Sequence, residues 1–359
     1  MDLQVLPVID ELLPVTRINL RTVNGSIVIS PKDSEPPNDN TFLPIPDTLA
    51  NVSRVLISQL RKCEMEISHL YVDLVNIAGG SDDSWYAFKR YRIPFDEEDR
   101  PTSILLSEVE YLNGLQSPYI IRPAFLVTDD SNSVFRGYLT PFMPAGTLAD
   151  VFDNLASKDG FADSVDDESE DPGPRVLLHP KVPHPSSPEA QVGREDAEGK
   201  AFVRKLSWPL KHTWSVDATN GVVALHDHGT CSGDIKLDNI VLCRDGHLQL
   251  IDVAPMISEG YTEHYMPPEF GPVFEQVGGR LPMTEARDVF ALGIVLWQIA
   301  EEVASFDRED PLASPCLVWA EGQDSTPQWY RDLIDSCLET DADKRPTARH
   351  ILEALTAGP

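Results

Sequence analysis

The feature that most constrains this chain is a polar loop followed at once by a short apolar hairpin, in the stretch CSGDIKLDNIVLCRDGHLQLID. The loop brings Asp234, Lys236 and Asn239 close together in sequence. Two apolar runs, IVL and LQLI, then flank an Asp-Gly pair, which predicts a tight turn between two short strands, and Asp252 follows the second strand. A solvated surface loop would account for the charges, but not for their order or for the hairpin that follows them.

Composition excludes several classes of protein. With 359 residues, 42% of them apolar, the chain is long enough for one large domain or two ordinary ones with a real core. A net charge of −29 argues against nucleic acid as a partner and against a polybasic membrane anchor, because both need clustered Lys and Arg. The longest apolar run, VFALGIVLWQIA, is too short to cross a bilayer and predicts a buried helix.

The lack of a signal-peptide pattern and the cysteine usage predict an intracellular protein. The first residues, MDLQVLPVIDELLPV, lack the basic start of a signal peptide. The five cysteines are scattered and form no CxxC pair, so the sequence predicts neither a zinc site nor a disulfide framework. A reducing compartment, the cytoplasm or the nucleus, is therefore expected.

The coarse organisation is a β-rich half followed by a larger helical half. Residues 1–50 are predicted to form an N-terminal extension and linker, with a hairpin turn at Asn24-Gly25. Residues 51–143 are predicted to be mainly strands. The expected elements there are strands at 69–75, 85–91 and 137–142, the first two paired through a turn at Gly79-Gly80, and a helix at 103–115.

The second half, residues 144–357, is predicted to be mostly helical. Its expected helices are 208–227, 284–303, 326–338 and 346–356. The stretch 157–206 differs, since it is acidic, rich in proline and poor in large apolar residues. Such a segment cannot bury enough surface to offset its ordering entropy, so a disordered insertion is predicted there.

The polar loop resembles the D-x-x-x-x-N catalytic loop of eukaryotic protein kinases, with Asp234 and Asn239 at its two ends. Ordered matches around it extend the resemblance over residues 52–356, and the diverged pattern is similar to kinase-like proteins of filamentous fungi. The resemblance implies an α+β, two-lobed protein-kinase-like fold, with a small β-rich N-lobe and a larger helical C-lobe that bind ATP between them. The implied activity is transfer of the γ-phosphoryl group of Mg-ATP.

The resemblance gives each polar residue of the loop and hairpin a role. Asp234 would orient the substrate hydroxyl and accept its proton, and Lys236 would neutralise charge on the moving phosphoryl group. Asn239 and Asp252 would hold Mg²⁺, which prefers oxygen ligands. Lys236, two positions after the implied base, resembles the serine/threonine-type loop rather than the loop of tyrosine kinases.

Residues of the nucleotide site are implied upstream. Lys89, in YAFKRY, matches the strand lysine that pairs with the α and β phosphates. Its helix partner is Glu108 or Glu110, and counting back from Ser117-Pro118 favours Glu108.

The stretch GYLTPFMPAGTL resembles the strand, hinge and first turn that lie beneath the adenine. The match makes Thr140 the gatekeeper residue. The backbones of Pro141 and Met143 would then face the base.

Three further matches are structural. Glu269, in YMPPEF, would pair with Arg345, and Asp288, in DVFALGIVLW, would tie down the catalytic loop. Small-molecule kinases of the aminoglycoside phosphotransferase type generally lack these features, so the implied acceptor is a protein substrate.

Three departures from the family pattern leave two hypotheses open. No glycine occurs in residues 56–72, where a glycine-rich loop would cradle phosphates; Ser232-Gly233-Asp234 replaces His-Arg-Asp, and Asp252-Val253-Ala254 replaces Asp-Phe-Gly. The missing arginine removes the usual partner of an activation-loop phosphate. The chain is either a divergent serine/threonine kinase, because the charged set survives, or a pseudokinase that serves as a nucleotide-binding or purely interaction scaffold.

Overall fold

The structure is a computed structural model, and it describes the chain in segments. The described residues are 16–23, 26–33, 43–63, 72–79, 84–90, 101–157, 206–253, 262–270, 282–306, 308, 315, 317–320 and 325–358. The chain forms two units, the first made of Met1–Ser107 with Ala124–Thr140 and the second of Glu108–Pro123 with Pro141–Pro359.

The first unit contains a two-stranded hairpin near the start of the chain. β1 (Thr16–Val23) pairs antiparallel with β2 (Ser26–Asp33), and Val23 lies opposite Ser26. This register leaves two residues for the turn, which confirms the hairpin predicted from Asn24-Gly25.

A six-stranded mixed sheet forms the rest of the first unit. Its strands are β3 (Arg54–Leu56), β4 (Leu60–Lys62), β5 (Val72–Ile77), β6 (Trp85–Lys89), β7 (Phe125–Thr128) and β8 (Phe135–Pro141), in the order β3-β7-β8-β6-β5-β4. The antiparallel pairing of β5 with β6 confirms the predicted strand pair, and β8 confirms the strand predicted at 137–142. The sequence pattern does not predict β3, β4 or β7.

The two edges of this sheet come close together. β3 and β4 occupy opposite edges, yet a single 3₁₀ turn, Ile57–Gln59, joins them. A flat sheet of this width would separate its edge strands by about 24 Å. The four residue steps from Leu56 to Leu60 span at most about 14 Å, so the sheet must curl towards a barrel. Its interior is filled by Val55, Val75, Phe88, Val127 and Leu139.

Gly137 lets the middle strands of the sheet approach one another. Its φ of 141° is a conformation that side chains rarely adopt. A Cβ at this position would collide with the backbone carbonyl of Lys89 and would lie 2.8 Å from the Phe88 ring. The glycine in β8 therefore fixes the position of the end of β6, where Lys89 stands.

Helices dominate the second unit. They are α2 (Leu148–Ser157), α3 (Trp208–Asp227), α4 (Glu285–Glu301), α5 (Gln328–Cys337) and α6 (Ala348–Ala357), preceded in the chain by α1 (Pro101–Gly114), within which the boundary between the units falls. α1 and α3 to α6 confirm the helices predicted at these places, whereas α2 was not predicted. An α+β fold with a β-rich first unit and a helical second unit is the expected protein-kinase-like architecture.

Local sequence signals set the starts of these helices. Pro209 stands in the first turn of α3, where its missing N–H costs nothing. Thr284 caps α4 by accepting a hydrogen bond from the Arg287 N–H, and Thr347 caps α6 in the same way through His350. α4 is buried around nearly its whole circumference, which explains its continuous apolar run.

The hairpin predicted after the polar loop is present and packs on α3. β9 (Ile240–Leu242) pairs antiparallel with β10 (Leu248–Leu250). Gly221 of α3 faces this hairpin, and a Cβ there would lie 2.6 Å from a Leu250 methyl carbon. The close approach of helix and hairpin anchors the loop that precedes β9.

Some sequence predictions concern residues that the structure does not describe. Residues 158–205 of the predicted insertion, residues 64–71 of the glycine-free stretch and Ala254 lie outside the described residues. Within the described part of the chain, no helix combines the length and the hydropathy needed to cross a bilayer.

Candidate active site

The loop that carries Asp234 is anchored from α4 by Asp288. Its carboxylate, which is fully buried, accepts hydrogen bonds from the backbone N–H groups of Ser232 at 2.8 Å and Gly233 at 2.7 Å. The Nε2 atom of His226 lies 3.1 Å from the same carboxylate. Asp288 therefore does what the sequence predicts, since it fixes the peptide groups just before Asp234.

The polar residues of the loop contact one another directly. The Lys236 Nζ atom lies 2.8 Å from Oδ2 of Asp234. The Asn239 side-chain amide donates to the Asp234 carbonyl at 2.8 Å and to its Oδ2 at 3.1 Å. These bonds fix the orientation of the Asp234 carboxylate, which remains partly exposed to solvent.

Thr262 completes this network from a distant part of the chain. Its hydroxyl donates to Oδ1 of Asp234 at 3.0 Å and accepts from Nζ of Lys236, also at 3.0 Å. The sequence analysis missed Thr262, because nothing in the spacing of a single Thr indicates a contact with a loop 28 residues upstream.

Asn239 and Asp252 lie at the open end of the hairpin. The backbone N–H of Ile251 donates to the Asn239 carbonyl at 2.9 Å, so the next residue, Asp252, leaves the hairpin beside Asn239. Asp252 is exposed and adopts a left-handed conformation with φ of 52°, which costs free energy in a residue other than glycine. The Asn239 amide nitrogen donates to Asp234, so the amide oxygen is the side-chain atom of Asn239 that could bind a cation. A carboxylate and an amide oxygen suit Mg²⁺.

A second cluster beside the loop does not make a metal site. His226, Cys231 and Asp288 offer ligand atoms within 4.8 Å of one another. However, both carboxylate oxygens of Asp288 already accept backbone N–H groups. Burial, with smaller contributions from Asp288 and Glu285, raises the pKa of the Cys231 thiol to about 11. A thiol that stays protonated is a poor ligand and a poor nucleophile.

The predicted ion pair between Glu269 and Arg345 is present. The guanidinium binds the carboxylate through two hydrogen bonds, of 2.6 and 2.7 Å. It also donates to the carbonyls of Glu339 and Ala286 and lies over the Phe290 ring. This pair links the segment after Thr262 to the helical core.

The residues predicted for the nucleotide lie partly in the first unit. Lys89 is the last residue of β6, opposite Val72 of β5, and Thr140 is the penultimate residue of β8. Glu108 lies in α1 and is 1% exposed, whereas Glu110 is only half-buried. The two glutamates that the sequence left as alternatives thus differ in their burial.

Pro141 and Met143 follow at the start of the second unit. Pro141 is exposed and, having no N–H, presents only its carbonyl to a ligand. The Met143 carbonyl accepts from the Gly146 N–H at 2.9 Å, within a turn that leads into α2.

Comparisons with known proteins agree with this geometry. The family profile described as "Protein kinase domain" matches residues 207–355. Serine/threonine-protein kinase Nek9 of Xenopus laevis is 31% identical over 150 residues, which cover 37% of this chain and 15% of Nek9. Serine/threonine-protein kinase ste20 of Aspergillus oryzae is 29% identical over 154 residues, which cover 38% of this chain and 17% of ste20.

The matched region contains the part of the candidate site that surrounds Asp234. It begins at the start of α3 and ends within α6, so it includes the loop that carries Asp234, the β9–β10 hairpin and the Glu269–Arg345 pair. The chain spans less than a fifth of the length of either relative. The fold, the loop geometry and these matches identify residues 207–355 as a protein kinase domain.

Proposed function

We propose that this protein transfers the γ-phosphoryl group of Mg-ATP to serine or threonine hydroxyls of protein substrates. The observation that carries the proposal is the network in which Lys236, Asn239 and Thr262 all contact Asp234. Three polar groups converge on one partly exposed carboxylate, which is the arrangement that phosphoryl transfer needs, since its catalysis depends on positioning and charge.

Asp234 is the proposed general base. Its carboxylate orients the acceptor hydroxyl and takes the proton as the oxygen bonds to phosphorus and the bond from phosphorus to the ADP oxygen breaks. Lys236 offsets negative charge on the phosphoryl oxygens. Asn239 holds the carboxylate in place through its two hydrogen bonds.

Asn239 and Asp252 are the proposed magnesium ligands. The two residues lie at the end of the β9–β10 hairpin, and an amide oxygen and a carboxylate form the hard donor set that Mg²⁺ prefers. When bound, the cation neutralises charge on the phosphate oxygens. Asp252 has a left-handed backbone conformation, and such strain is commonly kept at functional sites.

We assign the remaining nucleotide contacts to the residues that the family resemblance implies. Lys89 would bind the α and β phosphates with Glu108 as its partner, and Thr140 would be the gatekeeper beside the adenine. The carbonyl of Pro141 and the backbone of Met143 would bind the base. In this assignment residues 51–143 are the N-lobe and hinge, residues 144–357 are the C-lobe with its insertion, and residues 1–50 are an extension.

Two observations favour a serine or threonine hydroxyl on a protein as the acceptor. Thr262 bridges Asp234 and Lys236, so a short hydroxyl side chain already fits next to the base. The names of both relatives describe serine/threonine-protein kinases.

The scattered cysteines suit a reducing intracellular compartment.

A pseudokinase is the second candidate function. The observation that favours it is the absence of glycine from residues 56–72, because glycine lets backbone N–H groups approach phosphates closely. Such a protein would keep the fold as a nucleotide-binding or interaction scaffold.

Radiolabelled ATP and generic protein substrates test the proposal. We expect label transfer by the wild type, a fall of about 10²- to 10⁴-fold in Asp234→Asn, and little change in Asp238→Asn. Asp238 is a matched control, since it is an exposed aspartate of the same loop. Equal labelling by the wild type and Asp234→Asn would exclude catalysis by this loop.

A thermal-shift titration with Mg-ATP separates the two candidate functions if no label is transferred. A ligand present at 100 times its Kd stabilises the native state by about 2.7 kcal/mol. A shift that Asp252→Ala removes would support a nucleotide-binding pseudokinase. No shift would leave the interaction scaffold.

A further inference from the structure

Two adjacent residues of α4 hold the peptide groups on both sides of Gly233. Asp288 accepts the backbone N–H groups of Ser232 and Gly233. Arg287 donates from Nη2 to the carbonyl of Gly233 at 2.6 Å, in a buried hydrogen bond. The carbonyl of Gly233 belongs to the peptide group between Gly233 and Asp234, so Arg287 binds the peptide group next to the proposed base.

Gly233 has the conformation and the space that this contact requires. Its φ of 72° lies in the left-handed region, which glycine enters without strain. A Cβ there would lie 3.0 Å from the Met283 methyl carbon and 3.7 Å from the Arg287 Cζ atom. The side chains of Met283 and Arg287 thus occupy the space into which a side chain at position 233 would extend.

Arg287 is held in place by its surroundings. The residue is 5% exposed, and its guanidinium lies 6.0 Å from the centre of the Phe270 ring. Burial lowers the pKa of Arg287, while the charges of Asp288 and Asp234 oppose this shift. The guanidinium stays charged at neutral pH. Its hydrogen bond to Gly233 is therefore charge-assisted and formed in a site that water scarcely reaches.

We propose that Arg287 is a positioning residue for the proposed phosphoryl transfer, which holds the Gly233 carbonyl and thereby aims the Asp234 carboxylate. The position directly before Asp234 holds Gly233 rather than an arginine, and the guanidinium of Arg287, on α4, binds the carbonyl of this glycine. Because this anchor lies inside the folded unit, it holds the loop without a phosphate on any other segment. The proposal rests on the proposed function.

Kinetics of Arg287→Gln and Arg287→Lys test the positioning role. A small misplacement of a catalytic group lowers turnover strongly, so we expect kcat of Arg287→Gln to fall about 10- to 100-fold with the KM for ATP within about twofold of the wild type. Arg287→Lys keeps the charge and should have an intermediate kcat. Arg331→Gln is the matched control, because Arg331 also donates to two backbone carbonyls but lies on α5. Treatment of the wild type with a phosphatase should leave kcat unchanged.

Hydrogen exchange gives a readout that does not depend on activity. The Gly233 N–H is protected by Asp288, and loosening of the loop should increase exchange in a peptide covering residues 231–236. We expect faster exchange in Arg287→Gln and unchanged exchange in Arg331→Gln. If the wild type transfers no label but exchange rises, the positioning contact stands and the proposed function fails.

Three results would overturn the positioning role. The first is equal kcat in the wild type and Arg287→Gln, and the second is a loss confined to KM. The third is unchanged exchange of residues 231–236 in a folded Arg287→Gln variant. Melting curves establish folding, and if Arg287→Gln does not fold, Arg287→Lys decides: reduced kcat at constant KM supports the role, and wild-type kcat overturns it.

Discussion

Replacing Arg345 by Met should destabilise the second unit far more than loss of an ordinary surface pair. The Arg345 side chain is fully buried, while Glu269 is 27% exposed, and the pair is bidentate. Met fills much of the volume but leaves the carboxylate without its partner, and breaking a buried pair costs about 3–5 kcal/mol. Because Glu269 keeps some contact with water, we expect a cost near the lower end, about 3 kcal/mol.

A double-mutant cycle isolates the ion pair from the packing of Arg345. Combining Arg345→Met with Glu269→Gln should give a coupling energy of about 2 kcal/mol, since charge-assisted hydrogen bonds are roughly twice as strong as neutral ones. The assay is urea unfolding followed by tryptophan fluorescence.

The neighbouring pair Lys344–Asp341 provides a control cycle in the same turn. Its N–O distance is 3.4 Å and its side chains are 68% and 49% exposed. Lys344→Met with Asp341→Asn should couple by less than about 0.5 kcal/mol, as exposed pairs do, and Asn keeps the helix-capping acceptor. Equal coupling energies in the two cycles would refute the argument that burial makes the Arg345 pair strong.

Three further outcomes are expected from one glycine contact and two ion pairs. Gly137→Ala should lower the free energy of unfolding by about 2–5 kcal/mol, through backbone strain and overpacking, and urea unfolding measures it. Lys211→Met should lower the free energy of unfolding by about 3–5 kcal/mol, because it removes the cationic partner of Glu302, whose carboxylate lies 2.6 Å from the buried ammonium group. Lys211→Arg should cost less. The hydrogen bond and charge of Asp217 raise the pKa of His247, so this stabilisation is complete below the ordinary value near 6.5 and is lost as pH rises through the raised one. The melting temperature of the wild type minus that of His247→Gln should therefore decrease from pH 6 to pH 8, and a constant difference would contradict the assignment.

The sequence predicts those parts of the fold that local patterns encode. The apolar run of α4 and the Asp-Gly turn between β9 and β10 are local signals, and both elements form. The helix α2 also had a local signal, the Thr-x-x-Asp capping box. The Thr147 backbone donates to Asp150 at 2.8 Å, and the Asp150 backbone donates to the Thr147 hydroxyl at 3.2 Å.

The elements that were not predicted depend on distant partners. β3 and β7 have three and four residues and pair with each other in parallel, so neither has a turn or a periodicity that would predict it. For the same reason the sequence did not predict Thr262 and Arg287, which contact the loop around Asp234 from other segments. The sequence shows only that Gly233 replaces the arginine of the family pattern. The guanidinium of Arg287 beside Gly233 is seen only in the structure.

The short link between β3 and β4 makes the residues before β4 part of the folded unit. Val55 lies in the core, and the segment that leads to it accepts hydrogen bonds from backbone N–H groups of β7 and β8. A shortened chain that started at Leu60 would strip the partner strand from β7 and leave an unpaired row of N–H and C=O groups. Such a row can pair with a strand of another molecule, so this truncation should promote aggregation.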